Sequence, residues 1–363
     1  MQRTKKAENG GKWDGSTYLQ GNVMITINRK LASVAVFLSG MLSVNAALAA
    51  DTVKLRLDWT PWGVHAPFHL AAAKGWFAQY DLDVQIDDGN GSVTTVQIVG
   101  NGEYDLGHAS LAPMAIARAK GLPIKAIAGF AQQNDIGLLV PVDSGLKSPA
   151  DLKGKKIAYT AGSLETPFLD RFLAAGGLTR NDVELINVDA AAKGGTYMAG
   201  RSDGAFSSAP FFLAVVKAQR PSSNIRFADF GLQFPSFGLF ATEEKLQEKG
   251  AAIRRFASVV AGSWAYIIAG HQDEAVAAIV AARPQAKLNP TVIRDQIATL
   301  EDYFYTPATK GKPFGVMAGS DWETALTTLA DGGLIPTGQK VDAYFTNDML
   351  DPAIIEALAK GGK

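Results

Sequence analysis

The chain has 363 residues, with 35 Lys and Arg against 35 Asp and Glu, and no cysteine. With 47% hydrophobic and 19% charged residues, it folds around a core and is long enough for about two domains. The lack of cysteine excludes disulfides, thiolate metal sites and a cysteine nucleophile, and the balanced charge gives no indication of a nucleic-acid partner.

The N-terminal segment has the features of an export signal. The basic pair Arg29-Lys30 precedes an apolar run over residues 31–44, which is shorter than the roughly 20 residues of a membrane-spanning helix. The small residues in Ala47-Leu48-Ala49 fit a signal-peptidase site. The sequence predicts that residues 1–50 are an extension and a signal peptide, that cleavage occurs near Ala49 or Ala50, and that the protein is periplasmic.

Strand-like and helix-like patterns alternate through the next part of the chain, in two series joined by the polar segment 148–154. Such alternation is typical of α/β folds with parallel-rich sheets. After Glu243 the pattern is almost wholly helical. The predicted strands are Val53–Asp58, Asp83–Ile86, Tyr104–Gly107, Ile124–Phe130, Gly137–Val140, Lys156–Thr160, Val183–Val188, Gly204–Phe206 and Ile225–Asp229.

Four predicted helices have a proline in the first turn, at positions 67, 113, 167 and 210. Proline fits there because the first N–H groups of a helix have no partner within the helix. In open α/β folds, ligands bind beyond the carboxyl ends of the strands. We therefore expect a site in the segments between strand end and proline, which are Trp59–Ala66, His108–Ala112, Ala161–Thr166 and Ser207–Ala209.

The first of these segments carries Trp59, Trp62 and His65. Aromatic side chains on a loop beside a helix start suit the stacking of a flat ligand. The alternative is that one tryptophan only fills the domain surface. His65 is predicted to hydrogen-bond a ligand. Of the phenylalanines between positions 206 and 237, most are expected in the core and one or two beside a cleft.

A metal site is not predicted. His65 and His69 have the spacing that can chelate a metal from one helix face. Pro67 lies between them, however, and places His65 before the helix. His69 and His271 are expected on helix surfaces, and neither a catalytic residue nor a cofactor is predicted.

The segment Ala161–Thr166 offers small groups and one carboxylate. Thr166 is the expected N-cap of the following helix, with Pro167 in its first turn. Gly162 and Ser163 would present N–H donors to a ligand near the positive helix end. Glu165 either pairs with the helix dipole or accepts hydrogen bonds from an amine or a protonated ring of a ligand.

Two serines complete the predicted ligand-binding set. Ser110 either caps its helix or contacts the ligand, and Ser208 lies in the corresponding segment of the second series. The four segments contain no Lys or Arg side chain, whereas an anion site needs donors and positive charge. This composition favours a nitrogen-bearing ligand over an anion.

The combination Asp58-Trp59-Thr60-Pro61…His65, with Lys74-Gly75-Trp76-Phe77 and Tyr104-Asp105-Leu106-Gly107, resembles a family of solute-binding proteins. These are the receptors of ABC importers for nitrate, sulfonate and taurine and for thiamine-pyrimidine precursors. The family resemblance also includes the segment starting at Asp151 and the segment Gly200-Arg201-Ser202-Asp203-Gly204-Ala205. The resemblance therefore covers residues 51–363. The Asp58–His65 loop is similar to the thiamine-pyrimidine branch, although Trp62 replaces the usual Asn, which favours a different flat ligand.

The resemblance implies a periplasmic-binding-protein type II clamshell of two α/β lobes joined by two crossover strands, with a helical C-terminal region on lobe one. Lobe one would comprise 51–141 and 240–363, and lobe two 142–239. The family's binding positions would fall on Trp59, His65 and the loop 162–165.

The implied function is capture of a small, flat, nitrogen-bearing aromatic, such as a thiamine pyrimidine precursor, for an ABC permease and its ATPase. The protein would act as a monomer. The alternatives are a receptor for a small anion (sulfonate, nitrate or aromatic carboxylate) and a pyrimidine-forming enzyme of the same fold. The fungal enzyme has a cysteine-rich motif that this chain lacks.

Overall fold

A computed structural model describes residues 50–362 of the chain. The signal peptide and most of its cleavage site lie outside these residues, so both remain predictions. Within them, no helix has the length and apolar character needed to cross a membrane.

The first sheet has five strands in the order β2-β1-β3-β10-β4. Strand β1 runs parallel to both neighbours, and β10 runs antiparallel to both of its own. The alternation that predicts β1 reflects burial, because Val53 and Leu55 are buried while Thr52 and Lys54 are exposed. The strands are β1 Asp51–Arg56, β2 Leu82–Asp87, β3 Leu106–Ser110, β4 Ile124–Gly129 and β10 Phe237–Thr242.

The second sheet repeats this plan in the order β7-β6-β8-β5-β9. Strand β6 is parallel to β7 and β8, whereas β5 is antiparallel to β8 and β9. In each sheet the fourth strand is the one that runs against its neighbours. The strands are β5 Ile136–Pro141, β6 Lys156–Tyr159, β7 Glu184–Asn187, β8 Gly204–Ser208 and β9 Ser222–Arg226.

Helices cover the sheets, and those after Glu243 form the predicted helical C-terminal region. The long α8 bends at Lys249, where the backbone leaves helical geometry. Gly262 lets α8 approach α12, since a Cβ there would lie 2.8 Å from Leu358 Cβ. The helices are α1 Ala66–Ala73, α2 Trp76–Gln79, α3 Ser92–Gly100, α4 Leu111–Ala119, α5 Leu169–Ala174, α6 Ala190–Met198, α7 Ala209–Val216, α8 Glu243–Tyr266, α9 Gln272–Ala282, α10 Pro290–Leu300, α11 Gly319–Asp331 and α12 Pro352–Ala359.

Two connections carry the chain between the sheets and form the hinge. Residues 130–135 lead from β4 to β5, and residues 227–236 lead from β9 to β10. They are hydrogen-bonded to each other through Ser236 N and Ala131 O at 2.9 Å. They are irregular segments with one 3-10 turn, whereas crossover strands were expected. Both changes of sheet occur before the predicted boundaries at 142 and 240, and the domain limits remain a prediction.

The predicted α/β clamshell is confirmed, but each sheet is mixed, with two parallel and two antiparallel strand pairings. We call the first sheet with its helices lobe one and the second sheet with its helices lobe two. The main local error concerns strand ends. Strands β3 and β8 extend to Ser110 and Ser208, so these two residues end strands, His108 lies inside β3, and none of the three belongs to a loop.

Candidate functional site

A cavity of only about 10 Å³ lies between the lobes, at the carboxyl ends of β1, β6 and β8. This is the expected place for a ligand in an open α/β fold. Ligand pockets usually measure roughly 300–1,000 Å³, so the cleft is closed in this structure and has room for a ligand only when the lobes separate. The lining residues are Asp58, Trp59, Trp62, Ser163, Leu164, Ser207, Ser208, Phe211 and Phe237.

Four of the eight predicted ligand-binding residues line this cavity: Trp59, Trp62, Ser163 and Ser208. The other four do not line it. Gly162 and Glu165 flank Ser163 in the same loop. His65 lies behind Asp58, and Ser110 ends β3.

Aromatic rings form the apolar part of the cleft. Phe211 lies edge-on to Trp59 and Trp62, with ring centroids 6.4 and 5.4 Å apart. The ring centroids of Phe237 and Trp62 are 5.5 Å apart. The indole Nε1 of Trp59 is buried and has no hydrogen-bond partner in the described part of the chain. The cleft therefore offers flat apolar surfaces, and one of its lining residues carries an unpaired N–H donor.

Glu165 is fully buried and forms an ion pair with Lys193 of α6, which is also buried. Lys193 Nζ donates to Glu165 Oε1 at 2.8 Å and to Phe206 O at 2.9 Å. The same Nζ lies 5.2 Å from the ring centroid of Trp59, within range of a cation–π contact. Glu165 Oε2 is buried without a partner among residues 50–362.

Sequence reasoning missed Lys193 because it considered only the loops at the strand ends. One signal was available. Lys193 is the only charged residue in α6, where alanines and glycines surround it, so a charge at that place needs a buried partner or a solvated face. The structure also corrects Thr166. Residue Glu165 occupies the N-cap position, and the Thr166 hydroxyl donates to Thr160 O at 3.1 Å.

Asp58 forms the polar floor of the cleft. Its Oδ1 accepts from His65 Nε2 at 2.9 Å and from His108 Nδ1 at 3.1 Å. Burial alone would raise the pKa of Asp58, but the hydrogen bonds and charges of His108 and His65 outweigh burial and lower it to about 2. Burial lowers the pKa of His108 despite its contact with Asp58. Asp58 is therefore ionised at neutral pH.

Asp58, His65 and His108 are also the residue types that could hold a metal, since one ligand atom of each lies within 4.8 Å of the others. Metal-bound histidines normally donate their second ring N–H to an acceptor. Here the remote nitrogens, Nδ1 of His65 and Nε2 of His108, are buried without a partner in residues 50–362. Binding a metal would move the ring protons onto these two nitrogens, where they would find no acceptor. The three residues therefore fit a hydrogen-bonded network better than a metal site.

The two other histidines differ from each other. His69 is buried, contrary to the predicted helix-surface position, because α8 and α9 both pack against α1. Burial, and then the charge of Arg283, lower the pKa of His69 to about 3. His271 is partly exposed, and its Nδ1 lies 2.9 Å from Glu274 Oε1.

Ser110 occupies the N-cap position of α4, but its hydroxyl makes no capping bond and is buried without a partner in the described residues. Its backbone N–H donates to Ser92 Oγ at 3.2 Å.

Ser208 has a defined role, because its hydroxyl donates to Asp135. Ser236 donates to the same carboxylate, so Asp135 joins lobe two to both connections of the hinge.

Asp135 should make stability depend on pH. Burial raises its pKa from 3.8 to about 6, although the serine hydroxyls oppose the shift. The folded state then holds this proton more tightly than the unfolded state. Its contribution to the free energy of unfolding is expected to fall by about 2–3 kcal/mol as pH rises from 4 to 7. The variant Asp135→Asn should lack this decrease in urea unfolding curves.

Asp58 provides the contrast for that measurement. Because its folded pKa is lowered to about 2, its contribution to stability is complete above pH 4 and disappears as pH falls towards 2. The two carboxylates therefore act in different pH windows. A decrease between pH 4 and 7 that persists in Asp135→Asn would show that another group causes it.

A larger groove of about 400 Å³ lies beside the hinge. Several of its lining side chains, including Arg226, Asp229 and Gln233, are exposed. It lies along the two connections and α11, whereas the aromatic cleft is bounded by strand ends of both lobes. The cleft between the lobes is therefore the better candidate site.

The chain is similar in sequence to two proteins of known name. A formylaminopyrimidine-binding protein of Halalkalibacterium halodurans is 24% identical over 288 residues, which cover 77% of this chain and 85% of that protein. A 4-amino-5-hydroxymethyl-2-methylpyrimidine phosphate synthase of Saccharomyces cerevisiae is 30% identical over 113 residues. This match covers 31% of the chain and 33% of the yeast protein.

Among solved structures, the periplasmic aliphatic sulphonate binding protein of Escherichia coli has the same fold. The TM-score is 0.58 at 18% identity, and the match covers 80% of this chain and 91% of that one. The model of the family described as NMT1/THI5 like matches residues 62–275. That range contains the loop 162–165, Lys193 and the hinge. The chain belongs to the NMT1/THI5-like family.

Proposed function

We propose that this protein is the substrate-binding component of an ABC importer. It captures a small, flat, neutral, nitrogen-bearing aromatic compound, such as a thiamine pyrimidine precursor, between its lobes. The similarity to a formylaminopyrimidine-binding protein supports this ligand class. The protein would act as a monomer and deliver its ligand to a membrane permease with its ATPase.

One observation carries the proposal: an unpaired donor and an unpaired acceptor are buried beside the aromatic cleft. These are Trp59 Nε1 and Glu165 Oε2. An unsatisfied buried polar group costs about 1–3 kcal/mol, so a ligand that pairs both groups gains affinity. An aminopyrimidine has a ring nitrogen that accepts and an amino group that donates, on a flat apolar ring.

The charges of the cleft favour a neutral ligand over an anion. No Lys or Arg lines the cavity, and Glu165 already neutralises Lys193. The ionised Asp58 lines the cavity and would repel an anion. A nitrate or sulfonate receptor needs the opposite balance of charge.

Calorimetry with defined probes tests the ligand class. We expect the mature protein to bind 4-amino-5-hydroxymethyl-2-methylpyrimidine or its formylamino analogue at least a hundredfold more tightly than taurine, nitrate or benzoate. Native mass spectrometry of freshly purified protein should show a co-purified neutral compound. Preference for any of the three anions would overturn the proposal.

The binding proposal implies that the protein releases its ligand unchanged. The yeast relatives are named as synthases, so turnover needs its own test. After incubation with the pyrimidine, we expect chromatography to recover the compound unchanged. Conversion of the compound would identify the protein as an enzyme of the same fold.

Export is part of the proposed function, because a receptor meets its importer in the periplasm. The first residues described, from Ala50, lead directly into β1, so cleavage near Ala49 or Ala50 would remove no part of a lobe. N-terminal sequencing of periplasmic material should begin at Ala50 or Asp51. An intact N-terminus on cytosolic protein would contradict export.

A further inference from the structure

A backbone contact joins the two lobes at the edge of the cleft. The carbonyl of Gly162, from the loop after β6 in lobe two, accepts hydrogen bonds from Val93 N at 2.9 Å and Thr94 N at 3.3 Å. Both donors belong to the first turn of α3 in lobe one. The first N–H groups of a helix have no partner within the helix, so this contact satisfies two of them.

Glycine is required on both sides of this contact. A Cβ at Gly91 would lie 2.3 Å from Gly162 O, and a Cβ at Gly162 would lie 2.5 Å from Thr94 Oγ1. Gly162 also has a φ of +77°, a backbone angle that residues with a side chain rarely adopt. A methyl group at Gly91 would meet the backbone of Gly162 and hold the lobes apart, and one at Gly162 would displace the Thr94 side chain at this contact.

The same contact is linked to the ligand-binding loop. Gly91 N donates to Asp58 O at 2.7 Å, and Gly89 N donates to Trp59 O at 3.0 Å. A ligand that stacks on Trp59 fixes the backbone to which this turn is bonded. When the turn at Gly89–Gly91 is fixed, the start of α3 is oriented towards Gly162.

We propose that the Gly162 carbonyl is a latch that holds the lobes closed and makes the cleft selective against oxyanions. The start of a helix is where an oxyanion would otherwise bind, through N–H groups and the helix dipole. In this chain a neutral carbonyl of lobe two takes those donors. The selectivity half of the proposal rests on the proposed function, whereas the latch does not.

The experiment measures closure by energy transfer between two dyes. Because the chain has no cysteine, dyes can be attached to cysteines introduced at Asn101 in lobe one and Ala175 in lobe two, which are both exposed. Gly162→Ala and Gly91→Ala remove the latch. The matched control is Gly177→Ala, since Gly177 lies in lobe two with a φ of +73° and open space around it.

Without ligand, we expect the ratio of closed to open molecules to be at least tenfold lower in Gly162→Ala and Gly91→Ala than in Gly177→Ala. With 4-amino-5-hydroxymethyl-2-methylpyrimidine, the two latch variants should bind at least tenfold more weakly than the control. Equal closure of Gly162→Ala and Gly177→Ala would overturn the latch.

Titration with taurine and nitrate tests the selectivity against oxyanions separately from the latch. Neither should close the wild-type protein. If either anion binds tightly, the proposed function and the selectivity both fail. The latch itself is then still judged by the ratio of closed to open molecules without ligand, where unequal closure of the glycine variants supports it and equal closure overturns it.

Discussion

Lys193→Met is expected to lower the free energy of unfolding by about 3–5 kcal/mol, because it leaves the carboxylate of Glu165 buried without its cation. The double variant Glu165→Gln, Lys193→Met removes both charges and should regain most of this loss. Urea unfolding at pH 7 measures both effects. The recovery distinguishes an ion-pair effect from a packing defect, which the second substitution would not repair.

Lys156→Met is the matched control. Lys156 also belongs to lobe two and pairs with Glu184 at 3.4 Å, but both side chains are more than half exposed. Exposed pairs contribute about 0–1 kcal/mol, so the same substitution should have little effect there. Equal losses in Lys193→Met and Lys156→Met would contradict a buried ion pair.

Trp59→Ala should weaken binding of the pyrimidine by about 30-fold or more, which corresponds to roughly 2 kcal/mol. The variant loses the flat stacking surface and the Nε1 donor together. Trp59→Phe keeps a flat ring and loses only the donor, so its loss should be smaller but measurable. Calorimetry under conditions where thermal unfolding shows both variants folded provides the comparison.

Trp322→Phe serves as the control for the tryptophan series. Trp322 is buried on α11, where it stacks on Phe345 with ring centroids 5.5 Å apart, and it does not line the cleft. Its substitution should reduce stability without changing affinity. If Trp59→Ala also binds like the wild type, Trp59 is only structural and the binding site lies elsewhere.

The sequence locates the cleft well because local signals mark it. A parallel strand that ends just before a proline-started helix places its last residues at the carboxyl edge of the sheet. The segments containing Trp59, Ser163 and Ser208 all meet this condition, and the structure brings them together. Strand β10 is harder to predict, since Phe237–Thr242 is uniformly buried and shows no alternation.

The polar partners in the cleft depend on tertiary contacts that no local pattern contains. Lys193 meets Glu165 across 28 residues of sequence, and Ser208 meets Asp135 across 73. Each pairing follows from the packing of a helix or strand end against another element. Residue type alone therefore indicates that a buried charge needs a partner, but only the fold supplies the partner.

The two sheets differ in how the chain completes them. All strands of the second sheet come from the unbroken segment 136–226, whereas β10 enters the first sheet between β3 and β4 only after that segment. During folding, lobe two can therefore form first, although it comes later in the chain. Until β10 arrives, β3 and β4 have unpaired inner edges, which are prone to aggregate. Incomplete chains should therefore be most prone to aggregate before residues 237–242 are available to complete the first sheet.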